Sequence, residues 1–153
     1  MKVVLQALNS LTEDKLITLQ MFSKTLLDLS QLLKETGIQT PTKPGAFYGR
    51  GFADLGVEVF TLLPNNKLLS IFTGSSNTTW LDNEKFLFWI PSIEECQEEI
   101  SKLGFAVTSC DNIDSRKWEV SATDNKNILT SSNTDLWPAF INLTLLCIKQ
   151  KKN

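Results

Sequence analysis

The sequence predicts an α+β fold in which an antiparallel sheet of hairpins packs against a long N-terminal helix, a short middle helix and a buried C-terminal helix. Apolar residues recur with helical period near both ends and in the middle of the chain, and short β-type runs separated by turn residues lie between them. Strands and helices do not alternate as βαβ units, so the sheet is expected to be antiparallel. With 153 residues, 42% of them hydrophobic, the chain is long enough to form one domain over 1–153.

The first element is a long helix, expected over 11–36 within an N-terminal helical segment, 1–36. Ser10 and Glu13 have the spacing of a capping box, and leucines follow at helical spacing. At roughly 1.5 Å per residue, this helix would be longer than a compact domain needs. Two interpretations stay open: part of the helix contacts a partner or a second copy, or the helix bends or breaks near Ser23 and packs on its own core.

A segment rich in glycine and proline follows at 37–51. It contains two prolines and four glycines, a composition typical of irregular structure. We therefore expect 37–51 to be a linker that leads into an α+β core over 52–153.

Two hairpins are expected after this linker. The β-type runs 57–63 and 68–73 flank a turn that contains proline and two asparagines. The runs 78–81 and 86–90 flank a second polar turn in the same way. The sequence thus predicts that each pair of runs forms antiparallel partners.

Two helices are predicted in the second half of the chain, with three antiparallel strands between them. Ser92 and Glu95 form a second capping-box pattern that predicts a helix over 93–103, ended by Gly104. The last helix, 136–149, is apolar almost all round, so it is expected to be buried on two sides. The intervening strands are expected at 105–110, 118–123 and 128–130.

The composition excludes several classes of function. The chain has no histidine, so it cannot form a Ser-His-Asp or Cys-His catalytic unit. Fifteen basic and seventeen acidic residues give a charge of −2, which provides no general attraction to nucleic acid or anionic membrane. We expect no enzymatic activity, no cofactor and no membrane association, and a cytoplasmic location.

The cysteines and the acidic residues also argue against a metal site. Cys96, Cys110 and Cys147 are widely spaced and show no CxxC pair, so all three are expected in the core as free thiols. The acidic residues of the middle helix could bind magnesium, but they are expected on its solvated face: Glu94, Glu95, Glu98 and Glu99.

Two groups of residues are candidates for binding. In 47–52, Tyr48, Arg50 and Phe52 alternate with glycines, and such a segment could stack a base or approach a phosphate. The alternative is a glycine hinge whose aromatic residues anchor the linker on the core. The second group is the tryptophans, which could form a recognition patch or fill the core: Trp80, Trp89 and Trp118.

From Trp80 onward, the layout resembles that of small phage-encoded α/β/α sandwich proteins. The matching features are an aromatic strand that ends in proline, a short helix, a strand that contains tryptophan, and a terminal helix that bears alanine and cysteine. In this chain they are 88–91, 93–103, 117–120 and 138–147. The resemblance covers about the last half of the chain. It implies an accessory protein of a phage or mobile element, and it transfers no catalytic residue.

These observations favour a non-catalytic protein-interaction module, with an anti-defence or regulatory role if the resemblance holds. A protein partner or self-association is expected. The alternative function is nucleic-acid binding through Phe47 to Phe52.

Overall fold

The chain folds into two antiparallel sheets and four α-helices in the part that the structure describes. A computed structural model describes residues 22–52, 56–114 and 116–153. The helices are α1 (Lys24–Glu35), α2 (Trp80–Asn83), α3 (Ile93–Lys102) and α4 (Leu136–Lys152). The strands are β1 (Phe47–Phe52), β2 (Gly56–Leu62), β3 (Lys67–Ser70), β4 (Thr78–Thr79), β5 (Phe88–Ile90), β6 (Ala106–Ile113), β7 (Lys117–Thr123) and β8 (Ile128–Asn133). The predicted α+β class is confirmed.

The described strands form two separate sheets, both antiparallel as the sequence predicts. A five-stranded sheet has the order β4-β3-β2-β1-β5, and a three-stranded sheet has the order β6-β7-β8. Pro91 and α3 follow β5 directly. The chain therefore leaves the first sheet before β6 begins, and the last three strands pair only with one another.

The N-terminal helix begins later than the sequence predicts. Ser23 has an extended backbone and caps α1, because its hydroxyl accepts a hydrogen bond from the Leu26 amide. A continuous helix over 11–36 is thus wrong, because Ser23 itself is not helical. Residues 11–21 lie outside the described part, so a second helix before Ser23 stays a prediction. Leu26 and Leu33 are buried, and α1 packs against α4 and β5.

The predicted linker 37–51 contains a strand, so that prediction is wrong from Phe47 onward. β1 lies between β2 and β5, and Gly49 faces Phe88 in the register with β5. A Cβ atom placed on Gly49 would lie 2.2 Å from the Phe88 ring. Glycine is therefore required here because an aromatic ring packs directly on the strand, and not because the chain is irregular.

The first predicted hairpin is confirmed, since β2 and β3 pair antiparallel. The second is wrong: β4 pairs with β3, β5 pairs with β1, and α2 and a 3-10 turn at Glu84–Phe86 join them. The Thr79 hydroxyl donates to the Asp82 carboxylate at 2.6 Å. This local bond favours a helical turn where the polar composition predicts a hairpin turn.

The second half of the chain follows the prediction closely. Ser92 and Glu95 form the capping box of α3, and Gly104 ends the helix with a φ of 89°. The strands β6, β7 and β8 form an antiparallel meander. α4 is buried on two sides, because α1 and α3 pack on one face and β7 and β8 on the other. Asp135 occupies its N-cap position without a side-chain hydrogen bond.

We expect Gly49→Ala to lower the free energy of unfolding by about 1–3 kcal/mol, because the new methyl group would overlap the buried Phe88 ring. The matched control is Gly51→Ala, where the nearest neighbour is the end of the Gln31 side chain at 3.8 Å. Urea unfolding of the two variants measures the difference. Equal midpoints would show that Phe88 does not pack on Gly49.

We expect Ser92→Ala to lower the free energy of unfolding by about 1 kcal/mol, because it removes the hydroxyl that accepts the Glu95 amide, while the backbone amide that donates to Glu95 remains. Asp135→Ala is the control, since the Asp135 side chain makes no cap hydrogen bond to α4. Thermal unfolding monitored by circular dichroism compares the two. A larger loss from Asp135→Ala would contradict the assignment of the caps.

Candidate functional site

The most distinctive surface feature surrounds Arg50, at the end of β1. We call it the Arg50 surface and define it by five side chains: Arg50, Phe52, Leu81, Lys85 and Phe86. β1 supplies the first two, and the segment from α2 through the 3-10 turn supplies the others. Two distant parts of the chain therefore build one surface.

The strand period places Arg50 on this surface. Successive side chains of a strand point to opposite faces, so Tyr48, Arg50 and Phe52 share one face of β1. Tyr48 is fully buried beneath Trp80, with ring centroids 4.7 Å apart, whereas Arg50 and Phe52 are half-buried. On this face of β1, Tyr48 therefore lies in the core, and Arg50 and Phe52 lie at the surface.

The Arg50 guanidinium is held on three sides. Its carbon lies 5.0 Å from the centroid of the Phe52 ring and 4.8 Å from that of the Phe86 ring. These are cation–π distances, and such contacts contribute about 0.5–1 kcal/mol at exposed sites. Nη1 also donates a hydrogen bond to Oδ1 of Asn83. Arg50 is therefore fixed in one position.

Asn83 is itself oriented by the backbone. Its Nδ2 donates to the Thr79 carbonyl at 2.9 Å, which directs Oδ1 toward Arg50. Lys34 of α1 donates to the Lys85 carbonyl at 2.9 Å and so ties the same segment to the first helix. The turn that carries Phe86 is thus attached to the domain at two points.

The Arg50 surface exposes apolar side chains next to charges of both signs. Leu81 is 81% exposed and Phe86 is 49% exposed. Leu81 and Lys85 line a shallow depression together with Asp82 and Glu84. Arg50, Lys85 and the Lys34 ammonium at the Lys85 carbonyl thus lie on the same side of the molecule as these two carboxylates, and the surface carries charges of both signs.

The structure separates the binding residues that the sequence predicts. Arg50 and Phe52 lie on the surface, but Tyr48, Trp80 and Trp89 lie in the core. The Tyr48 hydroxyl donates to the Pro41 carbonyl, which anchors the preceding loop. Trp118 is half-buried in β7, in the other sheet, so the tryptophans form no common patch.

Leu81, Asn83 and Phe86 carry no sequence signal of a surface site. The sequence places Phe86 in a predicted strand, Leu81 at a strand end and Asn83 in a turn. No periodic pattern marks such residues, because the contacts of Asn83 and Phe86 with Arg50 join segments more than 30 residues apart. The cluster becomes visible only when the sheet is formed.

The cysteines occupy two environments, so the prediction that all three lie in the core is wrong for Cys110. Cys96 and Cys147 are buried, but Cys110 is exposed on the edge strand β6. Burial raises the pKa of Cys96 to about 12 and that of Cys147 to about 11, because it disfavours the thiolate. Glu95 and Glu99 contribute to the first shift. Both buried thiols are therefore unreactive at neutral pH.

Two of the four acidic residues of α3 have structural partners, and the other two, Glu94 and Glu98, are exposed. Glu95 accepts the Ser92 amide in the capping box, and Glu99 pairs with Lys102 at 3.0 Å. Within 22–52, 56–114 and 116–153, no group of cysteine, aspartate and glutamate side chains is arranged to hold a metal ion. In the same ranges, no helix has the length and hydropathy that a membrane span requires.

Comparison of the chain with family models, with curated proteins and with solved structures found no match. The function is therefore inferred from the geometry of this chain alone.

We expect a thiol reagent to modify Cys110 at neutral pH far faster than Cys96 or Cys147, because only Cys110 is exposed. Mass spectrometry after brief labelling with a maleimide measures this. The native protein should gain one label, and Cys110→Ser should gain none until denaturant is added. Rapid labelling of Cys110→Ser would contradict the burial of the other two thiols.

Proposed function

We propose that the chain is a non-catalytic protein-binding module and that the Arg50 surface contacts its partner. The observation that carries this proposal is the exposed Phe86 ring beside a fixed arginine, with the exposed Leu81 on the same segment. Protein interfaces concentrate their binding energy in arginine and aromatic residues that apolar neighbours shield from water. The Arg50 surface has this composition.

The fixed position of Arg50 supports the proposal energetically. Ordering a long side chain on binding costs about 0.5–1.5 kcal/mol. Here Phe52, Phe86 and Asn83 already restrict the guanidinium. Much of this entropy is therefore lost on folding rather than on binding, which favours affinity.

The charge balance of the surface supports a protein partner with its own mixed charges. A partner carboxylate would pair with Arg50 or Lys85, and a partner lysine or arginine would pair with Asp82 or Glu84. The exposed Leu81 would enter an apolar contact between these pairs. The resemblance of the second half to phage-encoded proteins extends the proposal to an accessory protein of a phage or mobile element, which would regulate or counter a host protein.

Nucleic-acid binding through Phe47 to Phe52 is the alternative function. Tyr48 is buried and the Phe88 ring covers Gly49, so Arg50 and Phe52 are the side chains on this face of β1 that remain for a nucleic acid. Asp82 and Glu84 line the depression beside Lys85, on the segment that carries Phe86, and would repel a phosphate that approaches it. These contacts favour the protein-binding function over the alternative.

The test is affinity purification of the tagged chain from nuclease-treated lysate of its source cells, with three variants compared quantitatively. Leu81→Asp and Phe86→Asp place a charge on the Arg50 surface, and we expect each to reduce the recovery of a stoichiometric partner at least tenfold. The matched control is Ile113→Asp, an exposed apolar residue in the other sheet. It should retain the partner.

Two results would contradict the proposal. Equal partner recovery with all three variants would show that binding occurs elsewhere on the chain. Recovery of nucleic acid alone, weakened by salt and by Arg50→Ala, would establish the alternative, because affinity for phosphates falls as salt rises.

A further inference from the structure

The two sheets have four edge strands, and three of them carry features that prevent pairing with another chain. β4 and β5 are only two and three residues long. β6 is irregular between Val107 and Ser109, and it carries Asp111. Short length, a bulge and a charge are the usual means by which proteins protect exposed sheet edges.

The fourth edge strand, β8, has none of these features. Its six residues, Ile128–Asn133, pair with β7 in continuous register and include no charged residue and no proline. Ile128, at its start, is 77% exposed. An unprotected, regular edge of this kind is a template for a further strand.

The register of β7 and β8 shows which backbone amides and carbonyls of β8 make no hydrogen bond to β7 and can bond to another strand. The Asp124 amide donates to the Asn127 carbonyl at 3.3 Å, so these two residues form a hydrogen-bonded pair. The next pair along the strands, Thr123 and Ile128, is then a non-bonded pair. Bonded and non-bonded pairs alternate along antiparallel strands, so every second residue of β8 bonds to β7. The amides and carbonyls that point away from β7 therefore belong to three exposed residues: Ile128, Thr130 and Ser132.

We infer that β8 pairs with β8 of a second copy of this chain, antiparallel about a two-fold axis at Thr130. In this register Thr130 faces Thr130 of the second copy, and Ile128 faces its Ser132. The three pairs form about six backbone hydrogen bonds between the chains. Threonine pairs are favourable across antiparallel strands, and no like charges oppose each other because β8 is uncharged.

The position of α4 fits this dimer. α4 packs on both β7 and β8, as a helix axis above the space between the two strands would give. Neighbouring strands are about 4.8 Å apart, so joining the two β8 strands places the two α4 axes roughly 10 Å apart. This is close to the separation of about 8–10 Å at which helices pack. The helices of the two copies would thus be neighbours on one face of a six-stranded sheet.

The face of α4 that meets the second copy is partly apolar. The Asn142 amide donates to the Ser131 hydroxyl at 3.0 Å, which places this face of the helix over β8. Leu146 lies one turn further along the same face, and both residues are half-buried. The dimer would therefore bury a helix contact in addition to the strand pair, which a stable interface needs.

Sedimentation velocity of the purified chain tests the pairing. We expect a dimer, with twice the 17.2 kDa of one chain. Thr130→Lys and Ser132→Lys should each raise the dissociation constant at least tenfold, because they place charges at the paired edge. The control Asn112→Lys carries the same charge on β6, the opposite edge of the sheet, and should remain a dimer.

A mixing experiment tests the two-fold register. Thr130→Lys and Thr130→Glu should each be monomeric alone, since identical charges would face each other at the axis. An equimolar mixture should recover the dimer, because lysine then faces glutamate. A wild-type monomer at all concentrations, equal weakening by Asn112→Lys, or no recovery on mixing would each overturn the inference. Leu81→Asp, on the Arg50 surface, should leave the dimer intact.

Discussion

The structure depends on the burial of α4 between the two sheets and the other helices. Its buried residues face α1 and α3 on one side and β7 and β8 on the other. One core cluster contains α4 residues together with Val59 of the first sheet and Val120 of the second. The Trp137 indole also donates to the Pro91 carbonyl at 2.7 Å, which ties the start of α4 to the end of β5. Since each large apolar side chain contributes about 1.5–3 kcal/mol when buried, this one helix joins the two sheets energetically.

This arrangement determines where function can lie. The core takes up Tyr48, Trp80 and Trp89, three of the five aromatic residues that the sequence suggests as binding groups. Two features stay accessible beside this core: the Arg50 surface on the first sheet and the β8 edge of the second. They lie on different sheets. The proposed partner contact at Arg50 and the proposed self-pairing at Thr130 therefore use separate residues.

The sequence predicts best those elements whose causes are local. The capping box of Ser92 and Glu95 and the nearly uniform apolar character of α4 predict their helices correctly. The prediction is wrong where the cause is a distant contact. The glycines of β1 were interpreted as a linker because the Phe88 ring that requires Gly49 lies in a strand about 40 residues away. The Arg50 surface was only partly predicted for the same reason: Arg50 and Phe52 were identified, but Phe86 and Asn83 come from a segment that the pattern assigned to a hairpin.

Hydrogen exchange of the native protein tests the central role of α4 most directly. If α4 joins both sheets, the slowest amides of α4, β1 and β7 will exchange with the same free energy, equal to that of global unfolding. A urea series monitored by nuclear magnetic resonance gives this value for each amide. Exchange of β7 at a much lower free energy than β1 would show that the three-stranded sheet opens by itself, and it would contradict this account.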